Sequence, residues 1–248
     1  GSLKSMMAEL YGKATGCSRG RGGSMHLIDL HVNFIAATPL VAGTIPVAVG
    51  TAFAFKAQNK PNIAVAFFGD AAVEEGTFHE AMNFASLHKL PVLFVCENNL
   101  YACQTHLRDR QPDRELCKLA EGHAIQAYRA DGNDAITVYE TTKKAIANIK
   151  SGAGPAFIEF LTYRWLEHCG PNEDNDTGYR PEKEIMEWTA KCPIKKLKKT
   201  MLEEKVAREE ELEKIDLEVM QEVDEAVAFA KESPFPEKHT LYQHLYSD

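Results

Sequence analysis

The stretch Ile63–Asn99, IAVAFFGDAAVEEGTFHEAMNFASLHKLPVLFVCENN, decides how this chain folds. Ile63 to Phe68 is continuously apolar, which predicts a buried strand, and it stops at Gly69-Asp70. A glycine and an acid at the C-terminal end of a strand stand where open α/β sheets bind ligands. Glu74 to His88 reads as a helix with Phe78, Met82, Ala85 and Leu87 inward and with His79 and Glu80 toward solvent or a subunit. Lys89-Leu90-Pro91 ends it. Pro91 to Cys96 is a second buried strand, which delivers Glu97, Asn98 and Asn99 to the same sheet edge. An acid and an amide oxygen at converging strand ends suit a hard divalent cation such as magnesium, which takes few protein oxygens and completes its shell with phosphate and water. Gly69, Ala71 and Ala72 are small enough for close backbone approach to a phosphate, and the helix starting near Glu74 aims its N-terminus there. Taken singly, Gly-Asp and Asn-Asn are ordinary strand-end and turn residues. Their pairing after two strand-like runs, with a helix between, favours a cofactor site.

Strand and helix signals continue on both sides. Leu3 to Tyr11 carries Leu3, Met6, Met7 and Leu10 at helical spacing, and a small-residue helix follows Thr38 through Lys56. A strand at Ala124–Ala130, a turn at Asp131–Asp134, a helix to Lys150 and a strand at Ala156–Leu161 repeat the alternation of a parallel sheet. Thr105–Leu119 reads as a solvated loop with a short helix at Arg114–Glu121. Thr162–Arg180 is a long polar loop leaving the last strand. From Glu182 onward the chain is helix-forming, with Val219, Met220, Val223 and Val227 as one of several apolar stripes that pack on a core or cover a partner. Ser233-Pro234-Phe235-Pro236 ends the helices, and the aromatic tail Leu241–Tyr246 is expected to dock on a neighbour. The fold class is therefore α/β: a parallel-sheet domain over 1–180 with helices on both faces, and a helical C-terminal extension over 181–248.

The motifs GDAAVEEG and CENNLYACQT, with CSRGRGGSMHL at Cys17–Leu27, VAGTIPVAVGTAFA at Val41–Ala54 and GPAFIEFLTYR at Gly154–Arg164, resemble the alpha subunits of thiamine diphosphate-dependent 2-oxoacid dehydrogenases of the pyruvate, branched-chain and acetoin types. The resemblance implies a thiamine diphosphate-binding domain with magnesium held by Asp70, Asn99 and the Tyr101 carbonyl. It also implies diphosphate contacts at Gly69, Ala71 and Ala72, and backbone contact with the aminopyrimidine near Val41. Five residues beyond Tyr163, His168 matches the family's catalytic histidine, and the loop Thr105–Leu119 matches a mobile loop at the mouth of the cofactor channel. A beta subunit is implied to supply the pyrimidine-binding domain and the activating glutamate in an α2β2 assembly, with a small 2-oxoacid as substrate and a lipoyl-bearing acyltransferase as acceptor.

Departures are equally specific. Ala71 replaces the family's usual glycine, which bears on diphosphate affinity. Cys169 replaces a regulatory serine, which excludes phosphorylation there, and the acidic run Glu173, Asp174, Asp176 is atypical. The family's upstream aromatic and arginine have no counterpart in this sequence. Two other readings share the metal site: a split transketolase or acyloin-forming carboligase, and a non-catalytic binding subunit that has lost diphosphate affinity.

At 248 residues and 44% hydrophobic, the chain can bury a substantial core. Its net charge of -8, with basic residues interleaved among acids, argues against a nucleic-acid surface. No apolar run approaches membrane-spanning length, so cytosol or an organelle matrix is the expected compartment. The six cysteines show no C-x-x-C pairing and read as reduced thiols.

Overall fold

The computed structural model describes residues 1–243, which gather into two compact units. One is continuous, Leu40–Glu203; the other joins Gly1–Pro39 to the chain from Glu204 onward. The first helix, α1 (Leu3–Leu10), belongs to the second of these.

The continuous unit begins with α2 (Thr44–Ala57) and β1 (Ala64–Gly69). These are followed by a 3-10 turn (Asp70–Glu74), α3 (Gly76–Leu87), β2 (Val92–Asn98) and a small hairpin of β3 (Tyr101–Ala102) and β4 (Thr105–His106). After them come α4 (Cys117–Gly122), β5 (Gln126–Asp131), α5 (Ala135–Lys150), β6 (Ala156–Leu161), α6 (Glu182–Thr189) and α7 (Pro193–Glu203). The main sheet has the order β1-β2-β6-β5 and every pairing is parallel. Strand alternation divides the core between the two faces. Ala66, Phe68, Phe94, Cys96 and Phe157 pack with α2, α3 and α4 on one face; Leu93, Val95, Ile158 and Phe160 pack with Ala145 and Ile149 of α5 on the other.

Two expectations need correcting here. The strand at 63–68 is an edge strand covered on one face: Val65 is 43% and Phe67 62% exposed, because helix α5 covers β2, β6 and β5 but not β1. The α-helix expected from Glu74 starts at Gly76, the preceding residues being taken up by the 3-10 turn.

The joined unit pairs α1 with α8 (Glu209–Glu232). Lys13 fastens its two ends: the buried ammonium donates to the carbonyls of Lys231 (3.3 Å) and Ser233 (2.8 Å) at the end of α8 and lies 4.0 Å from the Phe235 ring. These carbonyls are the unsatisfied acceptors of a helix C-terminus, where a cation is favoured. The glycine-rich loop Cys17–Gly23 is ordered by Glu9, which is 0% exposed. Its carboxylate accepts from the amides of Ser18 (2.7 Å), Gly20 (2.9 Å), Gly22 (2.6 Å) and Gly23 (3.3 Å). Burial raises the Glu9 pKa, but the four amides outweigh it and hold the group below the ordinary carboxylate range.

The divisions therefore fall after Pro39 and Glu203, not at 180/181. Helix α6 is tied to its own unit through Glu184 and through Trp188, which stacks on Tyr163 at 5.5 Å; α7 is tied through Lys196 to Asp134 at 2.6 Å. Of the expected α8 stripe, Val219 and Met220 are exposed. In the tail, Leu241 and Tyr242 are exposed, and His244, Leu245 and Tyr246 lie outside the described residues. No described helix is long and apolar enough to cross a membrane.

Candidate functional site

The site assembles at the C-terminal ends of β1 and β2. Parallel register pairs Gly69 with Glu97, so Asp70 and Asn98-Asn99 leave adjacent strands side by side. Asp70 is 1% exposed, and its carboxylate forms an ion pair with Arg110, whose guanidinium also grips Glu74. Gln111 completes the cover: its amide nitrogen donates to Glu74 (2.7 Å) and to the Asp70 carbonyl (3.4 Å). The Gln111 carbonyl oxygen is buried with no hydrogen-bond partner among the described residues.

On the β2 side, Asn98 and Asn99 each close an Asx turn. Their side-chain oxygens accept from Leu100 N and Tyr101 N, both at 3.1 Å, which lets Leu100 hold a φ of +73°. Asn98 is fixed from behind by Glu159, a 1%-exposed carboxylate of β6 that accepts from the Asn98 amide at 2.8 Å and from Cys117 N at 3.3 Å. Burial together with nearby Asp70 and Glu159 keeps the Cys96 thiol protonated, well above its usual range. Tyr101 begins the hairpin, and its hydroxyl donates to Glu184 at 2.8 Å. Tyr163 donates to the same oxygen at 2.9 Å. Burial and the Glu184 carboxylate push both phenols well above their ordinary range.

The loop after β6 is built rather than slack. Arg164 donates to the Cys103 carbonyl (3.0 Å) and the Tyr179 hydroxyl (2.7 Å), and buried Asp174 pairs with Arg180 and Tyr179. The atypical acidic run thus contains a structural ion pair. His168 stands exposed near the tip of a turn closed by Glu167 and Asn172, whose backbone N and O meet at 2.9 Å. It has no hydrogen-bond partner among the described residues. His79, expected to face solvent or a subunit, instead meets His123 within the chain at 3.2 Å.

The predicted residues thus divide. Gly69, Asp70, Ala71, Ala72, Asn99 and Tyr101 gather at two neighbouring strand ends; Val41 is exposed in the loop before α2; His168 lies apart on its turn. Sequence reading missed Arg110, Gln111, Glu159 and Glu184. Glu159 had a signal, an acid inside the apolar strand AFIEFL, whereas Arg110 and Gln111 sit among other polar loop residues.

These residues suit a hydrated divalent cation. Asp70 is a buried carboxylate with a guanidinium resting on it, and Gln111, bonded to the Asp70 carbonyl, carries a buried amide oxygen with no partner among the described residues. Among the described residues no three His, Cys, Asp or Glu side chains form a metal cluster; one carboxylate with amide and carbonyl oxygens beside it is a donor set of the kind magnesium completes with non-protein ligands. A Cβ added to Gly69 would meet nothing within 4 Å, and its φ of -80° is open to any residue, so neither the chain's packing nor its backbone demands glycine there. Ala71 likewise has no positive φ.

The model of the family described as dehydrogenase E1 component matches residues 1–239. The chain belongs to that family. This E1 chain is 38% identical to a chloroplastic pyruvate dehydrogenase E1 component subunit alpha-3 of Arabidopsis thaliana, over 100% of this chain and 58% of the relative. It is 38% identical to the subunit alpha of Porphyra purpurea, over 99% and 72% respectively. It is 37% identical to the somatic mitochondrial subunit alpha of Rattus norvegicus, over 99% and 62%. The E1 chain thus spans about three fifths to three quarters of the length of these relatives. Transketolase from Campylobacter jejuni superposes with a TM-score of 0.44 at 22% identity, over 54% of this chain and 22% of its own.

Proposed function

We propose that this chain is the alpha subunit of a thiamine diphosphate-dependent 2-oxoacid dehydrogenase, which decarboxylates a small 2-oxoacid such as pyruvate, or cleaves acetoin, and passes the acyl group to a lipoyl arm. The observation that carries the reading is buried Asp70 at the end of β1, beside the Asn99 end of β2, in a member of the dehydrogenase E1 component family. When bound, thiamine diphosphate supplies the carbanion that adds to the 2-oxo carbon and the electron sink for decarboxylation.

The chain's own residues bind and orient. Asp70, Asn99 and the Tyr101 carbonyl hold Mg2+; Gly69, Ala71 and Ala72 give the diphosphate close backbone approach; Val41 meets the aminopyrimidine through its backbone. His168, exposed on its turn and with no hydrogen-bond partner among the described residues, is placed to protonate the substrate or orient the lipoyl group. A beta subunit contributes the pyrimidine-binding domain and the glutamate that activates the aminopyrimidine, in an α2β2 assembly with a lipoyl-bearing acyltransferase downstream, in the cytosol or an organelle matrix.

Calorimetry on the chain copurified with a beta subunit tests this reading. Asp70→Ala is expected to abolish Mg2+-dependent thiamine diphosphate binding, because it removes the site's charged ligand. Unchanged affinity would overturn the metal assignment. A panel of 2-oxoacids and acetoin on the same preparation selects the substrate.

A further inference from the structure

The chain already places a cation on the residue read as the metal ligand. Arg110 follows the 3-10 turn Leu107–Asp109, and its guanidinium makes three separate attachments: to Asp70, to Glu74 and, through Nε, to the Thr105 carbonyl at 3.2 Å. The first two partners belong to the 3-10 turn that follows β1. The third belongs to β4, the hairpin that follows Asn99 and Tyr101. Leu107 N, bonded to the Leu100 carbonyl at 2.7 Å, fastens the same segment to the Asx turns. The Arg110 side chain is 10% exposed, so its charge acts where solvent screens little.

We propose that Arg110 is a displaceable counter-cation of Asp70, so that a divalent metal binds by exchange with it. The inference rests on reading Asp70 as a metal ligand. A guanidinium and a divalent ion cannot both press on one buried carboxylate without strong repulsion. Arg110 need not leave the site on exchange, because Glu74, more exposed than Asp70, still accepts it, and the diphosphate brought with the metal offers further oxygens. Two effects follow. The metal alone binds weakly, since it must displace an internal charge. Its arrival also removes one of the ties between the turn after β1 and the β3-β4 hairpin, leaving those to Glu74, so metal binding and the position of the Leu107–Gln111 segment are coupled.

The test uses Mn2+ alone, counted by the electron paramagnetic resonance signal of the free ion, on the full chain with no cofactor and no turnover. Arg110→Gln is expected to bind Mn2+ roughly tenfold tighter than the wild type or better, since a contacting unit charge in part-buried surroundings opposes a cation by several RT. Arg110→Lys keeps the charge, and so the fold, but cannot bridge both carboxylates; its affinity is expected to fall between the two. Equal or weaker Mn2+ binding by both variants overturns the exchange. Asp70→Asn separates this from the wider reading: if it binds Mn2+ as the wild type does, Asp70 is not the metal ligand and the proposed function fails with it.

Discussion

Replacing Glu9 tests whether one carboxylate orders the glycine-rich loop. In Glu9→Ala the amides of Ser18, Gly20, Gly22 and Gly23 lose their acceptor together. Hydrogen bonds to a charged group contribute roughly 1.5–3 kcal/mol each. The four share two oxygens, and the freed loop recovers water, so about 3–5 kcal/mol is the local cost. Arg19 and Arg21 make the loop cleavable by trypsin, and cleavage from an opened state follows the opening equilibrium when reclosing is fast. A loss of about 3 kcal/mol then accelerates cleavage at these arginines on the order of a hundredfold, with the rest of the chain cut at its former rate. Glu9→Gln is a subtler probe, because its NH2 group must face two backbone donors, and it is expected to fall between. The pH dependence has a fixed sign. The folded Glu9 titrates below its ordinary value of 4.5, so the unfolded loop takes up the proton first. Protection is full above that value and is lost as pH falls through the lower folded one. Mass spectrometry of early digestion products reads the rates, and equal cleavage in wild type and Glu9→Ala would refute the reasoning.

Glu184→Ala leaves the buried Tyr101 and Tyr163 hydroxyls without their acceptor and is expected to destabilise the chain by about 2–4 kcal/mol in urea unfolding; a change under about 0.5 kcal/mol would show that water replaces the carboxylate freely. Ala71→Gly is expected to leave thiamine diphosphate affinity unchanged or to raise it, since Ala71 needs no positive φ and glycine allows closer approach to a phosphate. A large loss in calorimetry would show that the methyl group is needed.

The sheet was legible because β2 and β6 are nearly unbroken apolar runs, and a strand buried on both faces has no other composition. β1 has the same composition with one face bare: apolarity reports what a residue would bury against, not whether the cover is present. That Asp70 and Asn99 share one sheet edge was legible because each closes an apolar strand run. Arg110 was not, since its role depends on a turn that brings it 40 positions back along the chain to Asp70, and nothing local distinguishes it from Arg108 or Arg114. The true divisions after Pro39 and Glu203 were hidden for the same reason. Helical periodicity locates α1 and α8, but pairing them takes knowledge of Lys13 and the carbonyls beyond Phe229.

The bond from Lys13 to Ser233 spans 220 positions. During synthesis the continuous unit is complete once Glu203 has emerged, and its parallel sheet closes over modest separations. The unit containing α1 cannot form until the residues around Ser233 have left the ribosome, and the contacts that close it are far more distant in sequence than those of the sheet. Until then Glu9, Lys13 and the glycine loop wait without the helix that completes their surroundings. Residues 1–39 therefore reach their final structure later than the continuous unit that follows them in the chain.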